Sequence, residues 1–446
     1  MSPPDSVLER LDATLHAVAD ASAWYVGYSG GVDSTVLLHL LHSWCGRNTG
    51  PPLRALHVHH GLQPAADTWT AHCERNCADL GVPLSTHAVT VAGGEAGARE
   101  ARYAVFEASL AAGDVLFLAH HLDDQVETFF LRLMRGAGVE GLAGMPMARS
   151  LGAGSLLRPL LDTPRADIRA YATRHQLHHV EDPSNADTGI DRNFLRARVL
   201  PLLASRWPGY RRSVARAGAH LSAADSMLRE TLGVPATVYS VTGDPGCPID
   251  GLRAGQLEAF ALRLRYWLQA LGCKAPDRAS LVEFLRQLVS AAPAASPRLD
   301  AGSYVLQRYR NAVYLLPRFS VDPPSVCQRL VPGERQRVAG VGEVGLLPAA
   351  TGMALQPEDT LHLAWRAGGE RCRPAGHAAT QTLKSLLQNR GVPPWWRDRV
   401  PLLYLGDELL AVGDLVVCAS SRFRNHPGVD ERLWRLHWDR SSGPSD

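Results

Sequence analysis

The stretch Trp24-Tyr25-Val26-Gly27-Tyr28-Ser29-Gly30-Gly31-Val32-Asp33-Ser34-Thr35-Val36-Leu37-Leu38 passes from an apolar run through a glycine pair into a second apolar run. That order predicts a strand, a tight turn and a helix. Two adjacent glycines let the backbone turn sharply and approach a ligand with no Cβ in the way. The N–H groups at the helix start, with the Ser29 and Ser34 hydroxyls, then face an anion that the helix dipole also attracts. A phosphate fits the nest formed by Ser29, Gly30, Gly31, Val32, Asp33 and Ser34. The plainer alternative is an ordinary turn with Asp33 or Ser34 as helix cap. No lysine follows the last glycine, so the turn is not a Walker loop.

At 446 residues the chain exceeds a single core, and two or three domains are expected. With 46% hydrophobic and 20% charged residues it reads as a soluble globular protein. No run reaches the ~20 apolar residues of a membrane span. No secretory signal is legible in Met1 to Asp5 and the residues that follow. Eight scattered cysteines suit a reducing cytoplasm. Cys73 and Cys77 share one helix face at a spacing unlike a metal pair, and read as buried thiols. The net charge of +2 does not by itself identify a nucleic-acid partner. Lysine occurs only at Lys274 and Lys384, so the positive charge is almost all arginine, planar forks suited to phosphate and to stacking. A GC-rich genome would give the same bias.

Working outward, residues 7–20 carry an amphipathic helical pattern, and Leu53 to His59 alternates as a strand. Residues 65–80 read as a helix, 84–91 as a strand, 98–111 as a helix, 114–119 as a buried strand and 123–135 as a helix. Strands alternating with helices imply an α/β fold with a parallel sheet covered on both faces. Ligands of such sheets sit beyond the carboxyl ends of the strands.

Three further clusters fall at those ends. His57-Val58-His59-His60-Gly61-Leu62 has three histidines but no acidic or cysteine partner at ligand spacing. Arg99 and Arg102 lie three apart and share a helix face, where they would clamp a phosphate or form a solvated charged face. His120-His121-Leu122-Asp123-Asp124-Gln125-Val126-Glu127-Thr128 places three carboxylates in five residues, with Asp124 and Glu127 on one face. Such a cluster holds Mg²⁺ beside a triphosphate, holds an ammonium and takes its proton, or is only an acidic first turn favoured by the helix dipole.

The glycine turn matches the pyrophosphate-binding loop of the ATP-pyrophosphatase (PP-loop) superfamily. Together with the three clusters, in this order, the chain resembles the tRNA-isoleucine lysidine synthases. The likeness continues through Arg158-Pro159-Leu160-Leu161-Asp162, Arg165, Ile168, Glu181 to Asn185, Arg192-Asn193-Phe194-Leu195-Arg196 and Val199-Leu200-Pro201. Near the other end it includes Gly376 to Lys384, Gly391-Val392-Pro393-Pro394-Trp395 and Arg399 to Leu403. Such families often carry more lysines before the Val-Pro-Pro-Trp block, where Lys384 stands alone here. The resemblance implies ligation of L-lysine to C2 of the wobble cytidine in a tRNA(Ile) with a CAU anticodon. ATP, with Mg²⁺, first adenylates the base; the lysine ε-amine then expels AMP. It implies ATP on Ser29–Ser34, with Asp33, Arg99, Asp124 and Glu127 catalytic and Arg102, His120, Asp123, Arg192 and Arg196 on the substrates. His120 and His121 shape the pocket or transfer protons; Arg192 and Arg196 meet tRNA phosphates or pair with Asp182 and Asp191. No membrane partner is implied, and a homodimer is compatible with the reading. Two alternatives are a thiolase or amide-forming synthetase of the same superfamily and a non-catalytic RNA-binding relative. The C-x-x-C pairs typical of such thiolases are missing.

The expected organisation is a PP-loop catalytic domain over 1–205, a mainly helical, tRNA-binding domain over 206–320, and 321–354 linking or opening a third domain. That third, tRNA-binding domain, over 355–440, is small and α+β. In the middle domain 206–235 and 252–290 read as helices, 291–297 as a loop and 303–316 as strands. The third domain carries Arg371, Arg373, Arg390, Arg397 and Arg399 beside Trp395 and Trp396, residues that grip looped RNA or, for the tryptophans, fill a core.

Overall fold

A computed structural model describes residues 5–61, 66–91, 94–292, 295–319, 322, 327–356, 358–420, 422–427 and 432–440. Leu62 and parts of the 291–297 and 321–354 segments lie outside the described residues. The chain divides into two compact units, Met1–Leu228 and Arg229–Asp446.

The first unit is a six-stranded sheet with helices on its faces. Its strands are β1 (Trp24–Gly27), β2 (Leu53–His59), β3 (Leu84–Ala88), β4 (Val115–Phe117), β5 (Ala148–Leu151) and β6 (Gly154–Leu157). They run in the order β3-β2-β1-β4-β6-β5, parallel except for the β5–β6 hairpin, which sequence reading missed. Its helices are α1 (Asp5–His16), α2 (Val32–Cys45), α3 (Ala66–Leu80), α4 (Gly94–Ser109), α5 (Leu122–Met134), α6 (Val139–Leu142), α7 (Arg165–Arg174), α8 (Asp191–Phe194), α9 (Leu200–Arg206) and α10 (Tyr210–Leu232). The expected helices and strands are present, with ends displaced by a few residues.

The strand order reverses direction at β1, with β2 paired on one side and β4 on the other. The crevice at that switch point is where a ligand enters a sheet of this kind. Two loops border it: Tyr28–Gly31 after β1, and Leu118–His121 after β4. The first continues into α2, whose Val32, Val36, Leu37, Leu38, Leu40, Leu41 and Trp44 are all buried. A helix apolar on every side is a core helix, and α2 packs among Trp24, Phe117, Ile168 and Tyr171. Gly27 sits where the sheet meets α4: a Cβ there would come within 2.5 Å of Leu118 and 3.0 Å of Phe106.

Between α8 and α9 the helix widens into a π-turn, Leu195–Val199. Pro201 has no N–H to close onto residue 197, and the local register slips.

The second unit gathers the middle and terminal segments. To its helices α11 (Leu257–Ala270) and α12 (Arg278–Ser290) the middle segment adds a five-stranded antiparallel sheet. Its strands are β7 (Val238–Tyr239), β8 (Pro245–Pro248), β9 (Arg298–Asp300), β10 (Tyr304–Tyr309) and β11 (Ala312–Pro317), in the order β7-β8-β11-β10-β9. The terminal segment holds two five-stranded sheets and the short helices Leu383–Asn389 and Pro394–Arg397. Of the stretch 321–354, the described part is mostly strand. Leu330, Val338, Val344, Leu346 and Met353 enter the terminal core, so it opens that domain instead of acting as a linker.

Candidate active site

The glycine turn folds as its composition demands. Gly30 has φ +78°, and a Cβ there would lie 2.9 Å from Cys73 Sγ. Ser34 Oγ donates to the Gly31 carbonyl at 3.0 Å and lies 3.1 Å from Ser29 Oγ, which ties the turn to the first helical residues. Gly31 caps α2 with no side-chain hydrogen bond. The first-turn N–H groups are therefore left for a ligand, and an anion suits them.

Across the crevice, His121 caps α5. Its Nδ1 accepts the Asp124 N–H at 3.3 Å, while the His121 N–H donates to Asp124 Oδ2 at 3.0 Å. The opposite ring nitrogen, Nε2, stands 3.7 Å from Asp33 Oδ2 and 3.4 Å from Asp124 Oδ2. The two carboxylates thus share one imidazole. Burial would push His121 down, but Asp33, Asp124 and Asp123 outweigh it and raise its pKa. With Nδ1 occupied by the cap, the Nε2 proton is the one that faces the carboxylates. Burial would raise Asp33, but His121, Arg165 and Arg196 hold it below the usual carboxylate value.

His120 differs from its neighbour. Burial pushes it down to about 4, against the pull of Asp124 and with help from Arg158, Arg99 and Arg192, so it is neutral at neutral pH. Its Nδ1 has no hydrogen-bond partner, nor do Asp33 Oδ1, Arg158 Nε and Arg165 Nε. Buried polar atoms are seldom left unpaired. Asp33 Oδ1 and Arg165 Nε stand 3.8 Å apart, an ion pair too long for a hydrogen bond, which leaves both able to bond a polar ligand.

The other expected site residues fall as follows. Glu127 is 1% exposed and accepts Arg192 Nε at 2.8 Å, Arg196 Nε at 2.7 Å and Arg196 Nη2 at 2.9 Å. Both its oxygens are occupied, so it holds the two arginines and presents no free oxygen. Arg192 and Arg196 accordingly pair with Glu127, with Asp124 Oδ1 3.8 Å from each, and not with Asp182 or Asp191. Asp123 is also committed: it accepts the Arg165 backbone N–H at 2.9 Å and Arg211 Nε at 2.5 Å, which fastens α7 and α10 to α5. Arg99 is exposed on α4 with its guanidinium 4.9 Å from the Tyr103 ring centre. Arg102 turns instead to His60, its Nε 3.3 Å from Nε2.

The histidines of β2 separate. His57 is buried between the Tyr28 carbonyl and Thr70, His59 pairs with Asp67, and His60 meets Arg102. Among the described residues, no group of three or more His, Cys, Asp or Glu side chains is placed to hold a metal. Cys73 and Cys77 are buried, which pushes their thiols up to about 12 and about 11.

Sequence reading assigned no role to Arg158, Arg132 and Gln125. Arg158 is buried, donates to the Pro146 carbonyl and reaches the Tyr103 hydroxyl. Arg132 donates to the Gly141 and Gly144 carbonyls, and Gln125 clamps both backbone groups of Met145. The three together hold the loop Gly136–Met145 against α5. Its glycines at 136, 138, 141 and 144 were the available signal.

A glycine turn that opens a helix without a Walker lysine, at the switch point of a parallel sheet, is the arrangement of a nucleotide-binding domain of the PP-loop kind. The family model described as PP-loop domain matches residues 5–203. Those described as TilS substrate binding domain and TilS substrate C-terminal domain match 248–314 and 361–438. Among similar proteins, the tRNA(Ile)-lysidine synthase of Alkalilimnicola ehrlichii is 41% identical, over 96% of this chain and 97% of that one. Its namesakes from Pseudomonas fluorescens and Pseudomonas aeruginosa are 40% and 41% identical, over 98% and 96% of this chain and the same shares of theirs. The chain belongs to the tRNA(Ile)-lysidine synthase family.

Proposed function

We propose that the protein joins L-lysine to C2 of the wobble cytidine of a tRNA(Ile) with a CAU anticodon, so that the product pairs with AUA instead of AUG. The observation that carries the reading is one crevice with the glycine turn on one side and Asp124, His121 and His120 on the other, in a chain that matches lysidine synthases over nearly its whole length. A phosphate grip and an amine grip are what the two steps require.

In the first step cytosine O2 attacks the ATP α-phosphate and pyrophosphate leaves. Charge grows on the leaving group, and the N–H groups of the Ser29–Ser34 turn stabilise it where it develops. Asp33, whose Oδ1 accepts no hydrogen bond and stands 3.8 Å from Arg165 Nε, would hold Mg²⁺ alongside the triphosphate. That ion would neutralise phosphate charge when bound.

In the second step the ε-amine attacks C2 and AMP is expelled. A lysine ammonium, which ordinarily titrates at ~10.4, must first lose a proton. Asp124 is the acceptor through Oδ1, which accepts no hydrogen bond and stands 3.8 Å from Arg192 and Arg196, whereas both oxygens of Glu127 and of Asp123 are occupied. Glu127 sets Arg192 and Arg196 beside it. Neutral His120 shapes the base pocket with its unpaired Nδ1, and Arg99 steadies the activated nucleotide. A loop nucleotide leaves its stack at little cost, so the anticodon base can enter. The middle and terminal domains hold the rest of the tRNA in a reducing cytoplasm.

Purified protein with ATP, Mg²⁺ and radiolabelled lysine should transfer label to tRNA(Ile) with a CAU anticodon. Failure to label any tRNA would retire the proposal.

A further inference from the structure

Trp395 and Trp396 were open between an RNA platform and a core. The structure gives them different surroundings and one shared partner. Trp396 is buried in the terminal core, edge-on to Phe319 and Trp438 at 5.2 and 5.5 Å. Trp395 lies at the edge of that core and also packs on the middle sheet, 5.9 Å from Tyr309 and 5.6 Å from Tyr314. Both indole N–H groups then converge on Asp244, in the β7–β8 turn of the middle domain. Trp396 donates to Oδ1 at 2.8 Å and Trp395 to Oδ2 at 3.3 Å.

Asp244 is itself built in. It is 6% exposed, and Oδ2 also accepts the Ser240 and Thr242 hydroxyls at 2.6 and 2.7 Å. All four of these partners are neutral donors. An ionised carboxylate is acceptor-only, so it suits a site of this kind, where an amide would set donor against donor. Charge-assisted hydrogen bonds are also the stronger class. A local turn would need only the two hydroxyls. The two indoles come from about 150 residues away, and they join one domain to the other.

The same junction brings positive charge together. The Arg310 guanidinium, from the turn between β10 and β11, lies against Gly391: a Cβ there would be 3.3 Å from its Nη1. Exposed Arg390 is the next residue. Arg399, in contrast, is buried and donates to the Gly340 carbonyl, so it is removed from the set of RNA-facing arginines.

We propose that Asp244 is a positioning residue for the tRNA: it clamps the terminal domain to the middle domain through Trp395 and Trp396, so that the arginines of both grip the substrate as one rigid body. This rests on the tRNA-binding role given to the two domains. Asp244→Asn keeps the size of the side chain and replaces one acceptor by a donor. Trp395→Phe keeps most of the ring and removes one N–H.

Steady-state lysine transfer by the full-length protein tests it, varying each substrate in turn. In Asp244→Asn the KM for tRNA should rise about tenfold, the worth of one charge-assisted hydrogen bond. The kcat at saturating tRNA and the KM values for ATP and lysine should stay at wild-type levels. Trp395→Phe should raise the tRNA KM less, and the double variant should be no worse than Asp244→Asn alone, since both break one contact. An unchanged tRNA KM, additive effects, or an equal rise in the ATP KM would overturn the proposal. If Asp244→Asn does not fold, Trp395→Phe decides, and an unchanged tRNA KM in it is refutation. If the wild-type protein labels no tRNA, the function fails on its own account. The clamp is then judged by small-angle scattering, where an Asp244→Asn profile identical to wild type overturns it.

Discussion

Replacing Glu127 by glutamine separates a carboxylate that holds arginines from one that moves a proton. Glu127 is 1% exposed and receives three N–H donors from Arg192 and Arg196, whose own side chains are 28% and 29% exposed. The amide keeps the shape but turns one acceptor into a donor that faces a guanidinium. Breaking a buried ion pair costs about 3–5 kcal/mol. The lower end applies, because the two arginines are open enough to regain water. For a unit of this size each kcal/mol moves the melting midpoint by about 2–4 °C, so a drop of roughly 6–12 °C is expected. Circular-dichroism melts measure it. At 20 °C, the kcat for lysine transfer should fall less than about tenfold, against the ~10²–10⁴ lost with a proton-transfer group. A midpoint within about 2 °C of wild type, together with abolished transfer, would show that Glu127 does the chemistry and that the assignment to Asp124 is wrong.

Asp124→Asn should lower lysine transfer by ~10²-fold or more while pyrophosphate release continues; loss of pyrophosphate release along with transfer would give that carboxylate to the metal or nucleotide. Gly30→Ala forces a Cβ into a left-handed turn against Cys73, at a cost of about 1–2 kcal/mol before the clash is counted, and should raise the ATP KM about tenfold or more. Unaltered ATP kinetics would refute the phosphate grip. His120 and His39 both sit at about 4, burial being the main cause, below the ~6.5 of an unfolded histidine. Between pH 6.5 and 4 the unfolded chain therefore takes up protons that the folded one refuses, and stability is lost as pH falls through that window. His39→Asn should flatten the slope of melting midpoint against pH there, and an unchanged slope would contradict its burial.

Much of the first unit was legible because its signals are local. The alternation of apolar runs and helical repeats placed β1, β2, β4 and the helices between them, and the glycine pair marked the turn. The β5–β6 hairpin escaped because its outer strand, Ala148–Leu151, exposes three of four residues and gives no alternation. The grouping of Asp33, His121 and Asp124 was within reach of the sequence because these residues follow the ends of β1 and β4. The fate of Glu127 could not be read: its partners lie 65 and 69 residues later. Asp123 looked as free as Asp124, and only the arrival of α7 and of Arg211 distinguishes them. In the middle sheet the alternation over 303–316 marked β10 and β11, whereas β7, β8 and β9, of two to four residues, are too short for period two to be visible.

The glycine turn runs straight into α2, whose apolar residues are buried all round, so the turn is anchored in the core of the domain. Unwinding α2 beyond its first turn exposes Val36, Leu37 and Leu40, which lie in the domain's centre. Occupancy by nucleotide should accordingly slow amide hydrogen exchange throughout the β1 and α2 backbone and not only at the contact points. Ligand at 100 times its Kd adds about 2.7 kcal/mol to every such opening.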